Sequence, residues 1–274
     1  MPDAAYYQPP PSAWPIVGSL ALLVLAGGFV LLLAGFAPGA YAMACGALML
    51  AWMLFGWFRD VVRESLSGKL NARVDLSFRW GMVWFIFSEV MFFAAFFGAL
   101  FYVRRVGVPM LAEADLLWPG YQAGWPTAGP GIREGFTPMA AWGIPALNTL
   151  ILLSSGATVT WAHWGLKRGR RRQAALGLAA TVLLGAIFLA LQAYEYMTSL
   201  FTIRTGIYGA TFYLLTGFHG AHVALGAIML LVILLRVLAG HFTPTDHFAF
   251  EAASWYWHFV DVVWLLLFVF VYWL

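Results

Sequence analysis

Seven long apolar runs constrain this chain more than any other feature: roughly 14–36, 40–58, 79–102, 143–166, 174–196, 206–236 and 249–274. Each is close to or above the ~20 residues an α-helix needs to cross the hydrocarbon core of a bilayer. The runs are continuous and do not alternate, which argues against the strands of a membrane barrel. Inside hydrocarbon each run has to close its own backbone hydrogen bonds, and a helix does that. The predicted fold class is therefore all-α: a polytopic membrane protein with seven transmembrane helices. Composition agrees, with 62% hydrophobic and only 10% charged residues, against roughly 25% charged in soluble domains.

The opening stretch "MPDAAYYQPPPSAW" has no basic n-region and no small-residue cleavage site, so it does not read as a signal peptide. Pro9, Pro10 and Pro11 favour a stiff extended segment, and the first helix is expected to start after them. Cys45, inside the second run, is the single cysteine; it cannot form an internal disulfide and reads as a small packing residue. There is no internal repeat. The polar stretch "RDVVRESLSGKLNARVDLSFRW" reads as a loop that sets a two-helix part, about 14–58, apart from a five-helix part, about 79–274, within one domain spanning 1–274. A loop from about 103 to 142, rich in Gly, Pro and Trp, is expected to form an external cap. Trp14, Trp57, Trp80, Trp142 and Trp273 fall near the ends of runs, as interfacial aromatics do.

The sequence pI of about 9.1 raises the question of nucleic acid. The placement of the basic residues answers against it. Arg59, Arg63, Lys69, Arg73, Arg79, Lys167, Arg168, Arg170, Arg171, Arg172 and Arg236 fall on one side if seven helices alternate. Arg104, Arg105, Arg133 and Arg204 fall on the other. Positive charge stays inside, so the N-terminus is expected in the cytoplasm and the C-terminus outside. "KRGRRR" is then a juxtamembrane anchor facing anionic lipid.

Ionisable groups within the runs are the candidates for function. Glu89 stands inside "FIFSEVMFFAAFF" (85–97). The nearest basic residue on its own helix is Arg79, about 15 Å away at 1.5 Å per residue. With no local counter-charge, desolvation favours the neutral acid. Glu89 reads either as a proton-exchange or lipid-contacting site, or as a protonated acid hydrogen-bonded within the bundle. In "TGFHGAHVALG", His219 and His222 share a helix face at i,i+3. They can begin a metal site only if other helices add ligands, with His163, Glu195 and His258 available. The preferred reading is hydrogen-bonded structural histidines, with no metal in this chain. His258 and Asp261 form a second i,i+3 pair, and Gln192 with Glu195 reads as an interhelical hydrogen-bond cluster. No Gly-rich phosphate loop, nucleophile elbow or convincing Ser/His/Asp order is present, and no catalytic residue is assigned.

Six motifs carry a resemblance. "WFRDVVRES" (57–65), "SEVMFF" (88–93), "LNTLILLSSGATVTWAHW" (147–164), "LQAYEY" (191–196), "TGFHGAHV" (216–223) and "FEAASWYWHFVDVVWLLLF" (250–268) look like subunit III of cytochrome c oxidase. The resemblance runs over nearly the whole chain. Seven runs and a long loop after the third resemble the bacterial oxidase form, whereas the related quinol oxidase subunit usually lacks the first two. Ala-, Gly- and Arg-rich usage also looks bacterial.

The resemblance implies a non-catalytic subunit of a proton-pumping oxidase that passes electrons from cytochrome c to oxygen. Haem and copper would sit in partner subunits. The chain would pack directly on subunit I, with subunit II and small subunits in the same complex, in the bacterial inner membrane. It would support proton uptake and protect the catalytic subunit during turnover. Phospholipid would fill a cleft between the first two helices and the other five. For its ligands the resemblance and head-group depth together point to Trp57, Arg59, Arg63, Glu64, Arg79, Arg236 and His241, since arginine recruits phosphate through charge-assisted hydrogen bonds, with Glu89, deeper on the third run, lining the acyl region; without the resemblance these arginines read as ordinary positive-inside anchors. Family members often carry a histidine after "RES"; here the loop reads "LSGKLNARVD", so a role for such a residue has no counterpart. Two other classes compete: a stand-alone proton-coupled transporter using Glu89, and a membrane metalloenzyme using His219 and His222.

Overall fold

A computed structural model describes residues 6–132 and 135–274 of the chain. Arg133, one of the four basic residues assigned to the outer side, lies outside the described residues. Among the described residues there are eight α-helices: α1 (Trp14–Leu33), α2 (Pro38–Leu66), α3 (Ala72–Tyr102), α4 (Val108–Glu113), α5 (Ile144–Lys167), α6 (Arg171–Thr198), α7 (Gly206–Ala239) and α8 (Phe248–Leu267). Among the described residues seven spans are long and apolar enough to cross a membrane, the third running without a break from Ala72 to Glu113. No strand occurs among the described residues. The fold is all-α, as the apolar runs require.

Three span boundaries differ from the sequence reading by more than a turn. The apolar run 40–58 ends before α2 does, because "RDVVRESL" continues the helix to Leu66. These residues are mostly good helix formers, and Asp60 meets Arg63 one turn on at 3.7 Å. The polar loop thereby shrinks to a few residues. Asn71 ends it: its Oδ1 accepts from the backbone N–H groups of Arg73 and Val74 at 3.1 Å each, satisfying two of the free donors at the start of α3. At the other end, α3 does not stop at 102. A wider π-type turn over Val103–Gly107 carries it into α4, with a proline in the first turn of α4. The described residues in the rest of the expected external loop are irregular.

The chain divides into two compact units, Met1–Phe78 and Arg79–Leu274. In the first, α1 and α2 pack as an antiparallel hairpin. They approach backbone to backbone through glycines, as helices in lipid do. A Cβ on Gly28 would lie 2.5 Å from the Met43 amide nitrogen, and one on Gly46 would lie 2.5 Å from that of Leu25. Farther along, the Trp14 indole N–H donates to Asp60 at 2.9 Å.

In the second unit α8 is central. Over half of its apolar window is buried (56%), against 33% for α5, α6 and α7 and 11% for the third span. Trp257 and Trp264 on α8 are the largest fully buried side chains. Trp257 donates its N–H to Ser155 on α5, and Trp264 donates to Thr149, each at 2.9 Å. The α5–α6 connection is the tight turn at Gly169, whose φ of +68° suits glycine. The end of α7 closes similarly on Gly240 (φ +78°), with His241 N–H returning to the Arg236 carbonyl at 3.0 Å. Arg171 donates to the Val237 carbonyl at 2.7 Å, so the end of α5, the start of α6 and the end of α7 meet at one basic end.

Candidate functional site

The polar groups of the Arg79–Leu274 unit fall into separate clusters. The first contains Glu89. Its Oε2 lies 2.8 Å from His222 Nε2 on α7, so Glu89 is not isolated. A hydrogen bond within the bundle is one of the two readings the sequence left open: the partner comes from a helix 133 residues further along the chain, which axial distance along α3 does not reveal. His222 Nδ1 lies 2.6 Å from the Phe218 carbonyl. A carbonyl oxygen only accepts, so Nδ1 carries a hydrogen. The contact with Glu89 then requires a second proton, held by the carboxyl or by Nε2. The pair is a one-proton bond inside an aromatic wall, with Phe93 at 4.9 Å and Phe92 at 5.8 Å from the imidazole.

That geometry predicts two different mutational outcomes. Glu89→Gln retains both a donor and an acceptor toward His222 and is expected to leave assembly intact. His222→Leu strands the carboxyl in an apolar setting and is expected to cost about 1–3 kcal/mol. Thermal stability of the purified complex measures both; equal losses in the two variants would contradict the pairing.

His219 takes no part in this bond. Fully buried, it faces the Val260 carbonyl through Nε2 at 3.3 Å and packs between Phe188 and Trp264. The two histidines at i,i+3 thus serve different partners, and the structure does not gather His163, Glu195 and His258 around them. His258 stands beside Asp261 at 3.5 Å, and Thr160 of α5 lies 3.3 Å from its Nε2. Gln192 and Glu195 meet at Tyr272: Gln192 donates to its hydroxyl at 3.3 Å, and that hydroxyl faces Glu195 at 3.4 Å.

At the basic end, Glu251 of α8 is the centre of a cluster. Arg79 binds its Oε2. His163 Nε2 and His247 Nε2 lie 3.5 and 3.2 Å from its Oε1. Sequence reasoning named Arg79 and His163 but missed His247 and Glu251; their i,i+4 spacing in "HFAFE" was the available signal. Arg236 is buried and lies over the Phe242 ring at 4.5 Å, and His241 follows the Gly240 turn. In the other unit, Arg59 and Arg63 are exposed beside Asp60. The Trp57 and Phe58 rings lie tilted to one another, 5.8 Å apart, and the Glu64 carbonyl accepts from the Ser67 hydroxyl at 2.7 Å.

The model of one family, cytochrome c oxidase subunit III, matches residues 5–274. The chain belongs to that family. Proteins named cytochrome c oxidase subunit 3 are similar along almost their whole length. The one from Marchantia polymorpha is 47% identical over 264 residues, covering 96% of this chain and 94% of its own. That of Arabidopsis thaliana is 45% identical over 270 residues (98% and 96%). That of Cyprinus carpio is 44% identical over 270 residues (98% and 97%). As a member of the subunit III family the chain is a multi-pass membrane component of a respiratory oxidase complex, in company with other oxidase subunits. All the polar clusters described above lie within the matched range.

Proposed function

We propose that this chain is the non-catalytic third subunit of a bacterial, proton-pumping cytochrome c oxidase. In that reading it binds structural phospholipid, supports proton uptake by the catalytic subunit and prolongs that subunit's life in turnover. Haem and copper belong to partner subunits, with direct packing on subunit I. The observation that carries the reading is family membership over residues 5–274. Glu89, His219, Glu195 and His258 each meet a partner within this chain, as groups that hold helices together do.

For phospholipid head groups, Arg59 and Arg63 are the favoured ligands. They are exposed at the polar end of α2, their nearby acid is a single Asp60 at 4.0 and 3.7 Å, and Trp57 adds an exposed apolar face. Arg79 holds Glu251 and Arg236 is packed on Phe242, so substituting either disturbs the protein as well as any lipid. The test is phospholipid retained by purified oxidase carrying Arg59→Ala with Arg63→Ala. Loss of bound lipid with faster inactivation in turnover is expected; full retention would leave these arginines as charge anchors alone. Co-purification with haem-bearing partners tests the subunit assignment itself.

The N-terminus is assigned to the cytoplasm on charge. Arg168→Cys in a Cys45→Ser background should resist an impermeant thiol reagent in intact spheroplasts and react after lysis. Arg168 is preferred to Gly169, where the positive φ would strain a cysteine. Labelling before lysis would reverse the orientation.

A further inference from the structure

We propose that His163, His247 and Glu251 form a binding site for a divalent transition-metal cation of the zinc type, at the basic end of the Arg79–Leu274 unit. The three residues come from the end of α5, the residue before α8 and the first turn of α8. One ligand atom from each lies within 4.8 Å of the others. Zinc bound by imidazole and carboxylate has arms of about 2.0–2.2 Å, which makes the edge of its tetrahedron about 3.4 Å. The separations from Glu251 Oε1 to His163 Nε2 and to His247 Nε2, 3.5 and 3.2 Å, match that edge.

The electronic arrangement also calls for a cation. His247 Nδ1 is 3.1 Å from the Thr243 carbonyl, which fixes the hydrogen on Nδ1 and leaves a lone pair on Nε2 in the neutral ring. Neither imidazole Nε2 has a hydrogen-bond partner, although both are buried. His247 Nε2 is close to Oε1 but off the line an N–H bond would take. His247 Nε2 and Glu251 Oε1 are thus two acceptors facing each other at 3.2 Å, and His163 Nε2 stands 3.5 Å from the same oxygen. Two facing lone pairs gain from a shared positive centre.

The surroundings fit a metal ligand set rather than a simple ion pair. Arg79 binds the other carboxylate oxygen, the outer-shell contact that orients a ligating carboxylate. The Thr243 carbonyl does the same for His247. His247 and Glu251 are only 8% and 9% exposed. Two imidazoles with one carboxylate favour zinc and its neighbours over magnesium or calcium. Three protein ligands leave a fourth position open. The site is separate from His219 and His222, the pair the sequence first suggested, and does not depend on the lipid reading.

The test uses the purified oxidase complex, treated with chelator and then equilibrated with Zn²⁺ alone. Anomalous diffraction at the zinc edge should place one peak among His163 Nε2, His247 Nε2 and Glu251 Oε1. His163→Ala with His247→Ala should abolish that zinc, and Arg79→Gln should weaken it about 10–100-fold, as loss of an outer-shell partner does. Absence of a peak there at saturating zinc would overturn the proposal. So would equal zinc affinity in the wild type and an assembled double-histidine variant. If the double variant fails to assemble, the wild-type diffraction decides alone.

Discussion

Trp257→Ala is expected to remove about 3–5 kcal/mol from the stability of the Arg79–Leu274 unit, the range for deleting a buried large aromatic. The indole is fully buried and is the piece around which three helices close. A Cβ on Gly185 of α6 would stand 2.7 Å from the ring, and one on Gly226 of α7 would stand 2.9 Å from it. Both glycines are therefore matched to the tryptophan, and an alanine leaves a void that neither can fill. The N–H bond to Ser155 is lost as well. Trp257→Phe keeps most of the volume and should cost less than half as much. Thermal unfolding of the purified complex, read as release of this subunit, measures both. A Trp257→Ala loss below about 1 kcal/mol would show that the cavity collapses and that α8 is not the organising element.

The second large effect belongs to the α1–α2 hairpin and comes with its own control. Gly28→Val should separate the two helices, because its Cβ would meet the Met43 amide nitrogen at 2.5 Å and the Gly39 carbonyl oxygen at 2.9 Å. Both are backbone atoms and cannot rotate away. Overpacking of this kind costs about 1–3 kcal/mol, and more where nothing can yield. Gly27→Val, one residue away, meets nothing within 4 Å and should behave like wild type apart from a small change in helix propensity. Yield of assembled complex and protease sensitivity of the hairpin distinguish the two. Similar behaviour of both variants would mean that the hairpin does not rely on close backbone contact.

The seven spans were legible because hydrocarbon demands a long continuous apolar run, and that demand is written residue by residue. Helix ends in the head-group region were not, since "RDVVRES" is polar yet fully helical. Hydropathy alone does not separate a polar helix end from a loop there. The site was readable only as far as one helix extends. Glu89 was visible as an anomaly, but its partner His222 sits on α7, and no spacing rule connects them. His258 with Asp261, a pair local to one helix, was found directly. The Glu251 cluster was missed for the opposite reason: attention to histidines at i,i+3 passed over His247, which precedes its helix and gains importance only when α5 delivers His163 and α3 delivers Arg79.

The dominance of α8 in burial has a bearing on biogenesis. Helices enter a membrane in chain order, and α8 comes after every helix it organises. Until it arrives, Ser155 and Thr149 have no indole to accept from, and His219 has no Val260 carbonyl. Glu195 lacks the Tyr272 hydroxyl, supplied by the helical segment that continues α8. The preceding helices therefore wait in lipid with their polar contacts incomplete, although the Ser155 and Thr149 hydroxyls already donate to carbonyls of their own helix. Membrane insertion of this chain and its folding are consequently distinct events in time. The half-built intermediate between them is the state in which those groups still lack their final partners.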